Sequence, residues 1–234
     1  MAKYKIADLV VEMQPNHSTL LQRSEAYLVD NSTKSDFSIT VCPQAIEEKS
    51  KKTPELTVDA CEYAWYGYEF YKKLLNYDGM MLHSSCIAVD GFAYLFSAPS
   101  GTGKSTHTNL WKKHFGDRAV FINDDKPALR VIDGKICACG TPFSGKTSLN
   151  TNINVPVKGI CILNRGETNS IKFANPTVSV HRLLNQAYRP QDPELMDKTL
   201  DFLNLVLEKI PIYELYCNIS DEAVSVAYEF MSKN

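Results

Sequence analysis

The sequence lacks several features, and each absence closes off a class of protein. No run approaches the roughly 18 apolar residues that a membrane-crossing helix needs, so no membrane contact is expected. Neither sign of charge is in excess: 25 Lys+Arg stand against 27 Asp+Glu, a formal net charge of −2. Residues 1–78 carry 9 basic and 12 acidic side chains, and residues 79–234 carry 16 and 15. Neither part offers the basic field that a nucleic-acid backbone attracts. There is no CxxC pair, and the cysteines number seven; free thiols in a reducing cytoplasm are expected rather than a disulfide framework. Cys137 and Cys139 alternate around Ala138, but no His/Cys cluster stands ready to complete a zinc site, so two small buried thiols in a strand are expected. Asp8 interrupts the apolar run near the N-terminus and no small-residue cleavage site follows, so no secretory leader is expected.

What is present is the make-up of a folded protein: 234 residues, 44% hydrophobic and 10% aromatic. That length allows one large domain or a domain with an appendage. The pattern changes along the chain. KYKIADLVVEM, EAYLVD and DFSITVC are β-like, and QAIEEKSKKTPE is a charged connector. Thr57 is a plausible N-cap for a helix over 58–75, with Val58, Cys61, Trp65, Tyr68 and Leu75 on or near one face. Aromatics surround this helix. Core packing is the plain reading, and an oligomer contact or a stacking surface is the sharper one. From residue 79 the pattern becomes α/β, with two-residue hairpin turns at Asp90-Gly91 and Asp133-Gly134. The chain is therefore divided into a small α+β module at 1–78 and an α/β domain at 79–234.

The phosphate-loop pattern GxxxxGK[ST] occurs in strict form at 140–147, GTPFSGKT, and in relaxed form at 98–105, APSGTGKS. Such a loop must follow a strand and open a helix, because the helix N-terminus and successive N–H groups supply the anion site. FAYLFSA is a strand and KSTHTNLWKKHF an amphipathic helix, so the relaxed match is the better one. The nucleotide loop is then Ala98, Pro99, Ser100, Gly101, Thr102, Gly103, Lys104, Ser105 and Thr106. The glycines allow close backbone approach, Lys104 reaches the β/γ-phosphates and the Ser105 hydroxyl ligates Mg²⁺. No helix follows Thr147, so GTPFSGKT is a decoy as a nucleotide loop. It can still be an active-site loop in which Lys146 contacts phosphate or substrate, or Lys146 is an ordinary solvated lysine.

Asp124 and Asp125 follow the short strand AVFIN about twenty residues beyond Lys104. Phosphoryl transfer uses a carboxylate at the metal and often a base for the attacking hydroxyl. The C-terminal end of a strand in an open α/β sheet is where ligands sit. A polar turn is the plain alternative. With Asp90-Gly91 as a two-residue turn, paired positions sum to 181, so His83 falls opposite Ala98. An imidazole there contacts the transferred phosphate or orients an acid; otherwise it is a structural histidine. His107, on the first turn of the next helix, lies near the phosphates or at the surface.

The string LHSSCIAVDGFAYLFSAPSGTGKS resembles the start of the catalytic domain of HPr kinase/phosphorylase. There a His precedes a strand pair, and the second strand runs into SGxGKS. The Asp pair after the next strand also matches. SGTGKST is similar to the kinase loop of phosphoenolpyruvate carboxykinase, whose fold is related. The resemblance covers about 80–140 with specific motifs and none of the first 75 residues. It implies an HPr-kinase-like or carboxykinase-like P-loop core and an ATP/Mg²⁺-dependent kinase acting on a hydroxyl, often serine of a peptide or protein. It implies Lys104 at the phosphates, Ser105 and Asp124 at the metal, His83 in the catalytic site and Asp125 as base. The family's later acidic ExRG-type segment has no counterpart, since SLNTNINVPVKG holds neither carboxylate nor arginine. The alternatives are a nucleotide-dependent regulatory module without transfer, or a small-molecule kinase of carboxykinase type. For the latter, Arg118, Arg130, Arg165, Arg182 and Arg189 look scattered at the surface. Related kinases form oligomers, so a homo-oligomer is a possible partner.

Overall fold

A computed structural model describes residues 1–233 and contains two sheets. In the smaller one, β1 (Ala2–Ile6) and β2 (Leu9–Met13) form an antiparallel hairpin. Ala7 and Asp8 turn it, both at positive φ, as a two-residue hairpin turn demands. Helix α1 (Ser18–Ser24) follows, then the short edge strands β3 (Leu28–Val29) and β4 (Phe37–Ser38). The segment expected to be a charged connector is instead a helix, α2 (Pro43–Lys52). Proline is tolerated in its first turn, and three lysines at its last turn complement the helix dipole. Only Ile46 is buried there, so the helix leaves almost no apolar periodicity to read.

Helix α3 (Val58–Leu74) begins as expected, with the Thr57 hydroxyl accepting from the Ala60 N–H. Its buried face is only partly the expected one: Cys61 and Leu75 are buried, Val58 and Trp65 only partly so. Glu62, Tyr66, Phe70, Tyr71 and Leu74 point inward, while Tyr68 is half exposed. Aromatics on every side of the helix blur the moment, and only the tertiary partner decides between faces. Glu62 is fully buried and its carboxylate accepts from the N–H of Asn16 at 3.0 Å and of His17 at 2.8 Å. These bonds fix the entry to α1. Glu62→Ala is expected to cost about 3 kcal/mol in urea unfolding, because two N–H groups lose a charged acceptor. Glu62→Gln, which keeps one acceptor oxygen, is expected to cost about half as much.

The larger, curled sheet is mixed. Along the chain come β5 (Gly79–Met81), β6 (Ser84–Val89), β7 (Phe92–Ser97), α4 (Lys104–Phe115), β8 (Ala119–Asn123), β9 (Ala128–Ile132) and β10 (Lys135–Cys139). They are followed by β11 (Asn154–Arg165), β12 (Ser170–Phe173), α5 (Pro176–Leu184), α6 (Pro193–Lys209), β13 (Ile212–Cys217) and α7 (Asp221–Lys233). The spatial order is β5-β9-β10-β11-β7-β6-β8, with β13 beside β11 and β12 beyond it. The long β11 branches the sheet: its first residues pair with β10, and the rest lies parallel between β7 and β13. Because β6 is antiparallel to both β7 and β8, the strands β8, β7, β11 and β13 all point the same way. The segments following them leave from one edge, where ligands collect in open α/β sheets.

Three apolar clusters hold these layers. Leu95, Ile160 and Ile162 pack with Phe202, Leu203 and Val206 of α6 on one face. Trp111 and Phe115 of α4 pack with Ala227 and Met231 of α7 on the other. The third joins Tyr4, Val11, Phe70 and Tyr71 to Cys137, Cys139 and Phe143, so residues 1–78 lie against β10 and the loop after it. All seven cysteines are free, and every one but Cys42 is buried. Among the described residues no cluster of His, Cys, Asp or Glu suits a metal by itself, and no helix is long and apolar enough to cross a membrane.

Candidate functional site

The Asp90-Gly91 turn forms with both residues at positive φ. The ladder runs from Val89–Phe92 to Ser84–Ser97, in the register expected. It stops one pair short of His83 and Ala98, but Ser97 Oγ still donates to the His83 carbonyl at 3.0 Å. Residues 98–103 then loop into α4. Gly101 and Gly103 take φ of 79° and 121°, conformations that residues with a Cβ adopt only under strain. The N-cap of α4 is Gly103, which has no side chain to cap the first N–H groups, so that helix end is open to an anion. Lys104 is buried and folds back on the loop, its Nζ donating to the Ala98 carbonyl at 2.9 Å. Burial lowers its pKa, and the nearby charges of Asp125 and Asp124 oppose that shift.

The two acids diverge after β8. The Asn123 side chain shapes the turn, its Oδ1 accepting from the N–H groups of Asp125 at 2.9 Å and Lys126 at 2.7 Å. Asp124 is buried, and only hydroxyls hold it: Ser85 Oγ donates to Oδ1 at 2.6 Å and Thr147 Oγ1 to Oδ2 at 3.2 Å. Ser85 also bonds Thr108 of α4 at 2.7 Å, which locks this carboxylate to the helix carrying Lys104. Asp125 lies between His83 and Lys126. His83 Nε2 is 3.2 Å from its Oδ1, and Lys126 pairs with its Oδ2. Burial alone would raise the Asp125 pKa, but the bonds and charges of His83 and Lys126 outweigh it and hold it at about 2. The His83 ring is clamped from behind by Gln186 Oε1, 2.7 Å from Nδ1, and the Gln186 carbonyl accepts the His83 N–H at 2.8 Å.

No helix follows GTPFSGKT. That segment leaves β10 and curls back over the acids. Ser144 Oγ donates to the Thr147 carbonyl at 2.7 Å. Gly145 packs directly on Asp125: a Cβ at 145 would sit 2.5 Å from Asp125 Oδ2. Lys146 is exposed. His83, Ser100, Gly101, Gly103, Lys104, Ser105, Thr106, Asp124, Asp125 and Lys146 therefore border one cavity of about 480 Å³, joined by Lys126, Ser144, Gly145 and Thr147. Ala98, Pro99 and Thr102 belong to the loop but do not line that cavity.

A second cavity of about 600 Å³ opens on the other side of Gly101 and Gly103, over the ends of β11 and β13. Leu110, Leu163 and Ile219 give it apolar walls, and Asn164 and Asn218 give it polar ones. Arg165 at its rim is a surface arginine, as expected, but it donates to the carbonyls of Gly101 at 2.5 Å and Thr102 at 3.2 Å and so braces the loop. Its place at the end of the strand beside β7 is the signal that could have revealed it. Gln186, Lys126 and Arg165 are the site neighbours that sequence reasoning missed.

His107 does not border the cavity of the acids and is not at the surface. It is buried in the wall of the second cavity, with the Trp111 indole N–H donating to its Nε2 at 3.0 Å. Burial pushes its pKa down to about 4 from an ordinary 6.5. Between these values the unfolded chain binds the extra proton and the folded chain does not. The stability tied to His107 is therefore full above pH 6.5 and falls by about 3 kcal/mol as pH drops toward 4. Urea midpoints across that range are expected to show the slope, and His107→Gln is expected to flatten it.

No family model matches this chain, and no curated protein matches it. Among solved structures, it is similar to the Hpr(Ser) kinase/phosphatase from Coxiella burnetii with a TM-score of 0.36 and 12% identity, over 65% of this chain and 93% of that one.

Proposed function

We propose that the protein is an ATP- and Mg²⁺-dependent kinase that moves the γ-phosphate to a hydroxyl, with serine of a peptide or protein as the acceptor. The observation that carries this reading is one cavity bordered by three things: the glycine loop with its open helix N-terminus, Lys104, and two carboxylates in opposite electrostatic settings. The triphosphate would lie along 98–106, and the nucleoside would fill the apolar cavity beyond Gly101.

Asp124 suits a hard cation. It is a buried carboxylate held by hydroxyls alone, with no cationic side chain bonded to it among the described residues, and oxygen donors are what Mg²⁺ takes. Ser105, on the first turn of α4, would be the second protein ligand. Bound there, Mg²⁺ would neutralise charge on the phosphate oxygens. Lys104 would exchange the carbonyls of Ala98 and Pro99 for phosphate oxygens. Asp125 would orient the acceptor hydroxyl and take its proton. A carboxylate held at about 2 is fully ionised but weakly basic. That suits a loose phosphoryl transfer, in which the proton leaves late and positioning matters more than base strength. His83 and Lys126 would keep the carboxylate aimed.

The test is transfer from ATP labelled in the γ-phosphate to an array of serine-containing peptides with Mg²⁺. The expected result is acid-stable label on serine, absent from alanine-substituted peptides. Label only in free phosphate would favour a nucleotide-dependent regulatory module instead. Label on a small hydroxylated metabolite would favour a small-molecule kinase.

A further inference from the structure

The decoy loop is held in place by side chains 82 and 122 residues away in sequence. Arg23, in the last turn of α1, donates from one nitrogen, Nη1, to the Gly145 carbonyl at 2.8 Å and to the Tyr63 hydroxyl at 2.8 Å. Its guanidinium carbon lies 4.8 Å from the centre of the Tyr63 ring. The Tyr63 hydroxyl accepts from the Gly145 N–H at 3.1 Å and donates to the Pro142 carbonyl at 3.4 Å. Both backbone polar groups of Gly145 are thus bound by the N-terminal segment. Two further ties fasten the chain beyond the loop: Tyr27 Oη to Asn150 Oδ1 at 2.8 Å and Asn152 Nδ2 to the Ala26 carbonyl at 3.1 Å. The clamp is itself anchored. Glu62 holds residues 16 and 17, and Asp59 accepts from the Thr19 N–H at 3.1 Å, so α1 is fixed to the helix that carries Tyr63.

What the clamp holds is the wall of the acid site. Gly145 sits at φ +68° against the Asp125 carboxylate, with no room for a Cβ. Its neighbours face the same cavity: Lys146 brings an ammonium and Thr147 a hydroxyl bonded to Asp124. A shift of Gly145 therefore moves the space around one acid and a hydrogen bond to the other. We infer that Arg23 and Tyr63 are positioning residues of the phosphotransfer site, acting through Gly145 to set Asp125, Lys146 and Thr147. The inference rests on the kinase reading above. It gives residues 1–78 a task beyond covering β10: they supply the supporting shell that a loop-borne site needs to hold its geometry.

The experiment uses the full chain and three variants: Tyr63→Phe, which keeps the ring on Phe143, Arg23→Ala and Arg23→Lys. Hydrogen exchange over 143–149, MgATP affinity by calorimetry, and slow MgATP turnover with water as acceptor are measured on each. Tyr63→Phe and Arg23→Ala are expected to quicken exchange at 145–147 about tenfold and to lower kcat about tenfold, with MgATP affinity within about twofold of wild type, since only hydrogen bonds remote from the glycine loop are lost. Arg23→Lys is expected to restore most of kcat, because a single nitrogen makes both bonds. Quickened exchange with unchanged kcat would overturn the inference, as would a kcat that falls only in step with affinity or with the folded fraction. A wild type that neither turns over MgATP nor labels a serine peptide would sink the kinase reading and this inference together. A wild type that turns it over, with variants indistinguishable from it, would sink this inference alone.

Discussion

Asp125→Asn is expected to leave MgATP affinity within about twofold of wild type while lowering phosphate transfer about 100- to 1,000-fold, the range typical of a lost general base. The variant is nearly isosteric and stays between His83 and Lys126, so the loss falls on the step rather than on binding. On the kinase reading, the acceptor hydroxyl would lose a charged partner that both aims it and takes its proton. The same substitution carries a stability signature. The folded pKa of about 2 lies below the ordinary 3.8, so the ionised form is favoured by folding. That contribution is present above pH 4 and is lost as pH falls from about 4 toward 2. The urea midpoint of the wild type is expected to drop across that window, and the Asn variant is expected to lack that part of the slope. Single-turnover transfer with labelled ATP, alongside calorimetry, separates the two effects.

Lys104→Ala is expected to act on the other side of the reaction, weakening MgATP binding about 100-fold through the loss of charge-assisted bonds to phosphate. Lys104 is buried yet bonded only to two loop carbonyls. Its burial already lowers its pKa, so the ammonium is held at a desolvation cost that a triphosphate would relieve. Removing it costs only its bonds to two loop carbonyls, so the fold is expected to survive. Equilibrium titration with MgATP and MgADP checks this. A loss for both nucleotides places the lysine at the β-phosphate, and a loss for MgATP alone places it at the γ-phosphate.

Local signals carried much of this architecture. The two Asp-Gly turns, the Thr57 cap and the strand–loop–helix at 92–115 depend on neighbours within a few residues, and each lies where those neighbours put it. The hairpin arithmetic brought His83 to the glycine loop because a two-residue turn leaves only one register. Long-range chemistry was not legible. α2 buries one side chain and so shows no stripe. The buried face of α3 is selected by β1, β2 and Phe143, not by its own pattern. Gln186 reaches His83 across 103 residues, and Arg23 reaches Gly145 across 122; no spacing rule connects them. The strict motif at 140–147 opens no helix, and its position over the acids depends on long-range bonds to the end of β8, such as Asn123 Nδ2 donating to the Thr141 carbonyl at 3.1 Å.

The central claim is that residues 98–106, rather than 140–147, carry the phosphates. Hydrogen exchange of the full chain with and without saturating MgATP tests it most directly, because both segments are read in one experiment. The expected result is strong protection across 98–108, where backbone N–H groups would bond phosphate oxygens, with weaker protection at 144–147 across the cavity. Unchanged exchange at 98–108, with or without protection at 140–147, would contradict the account.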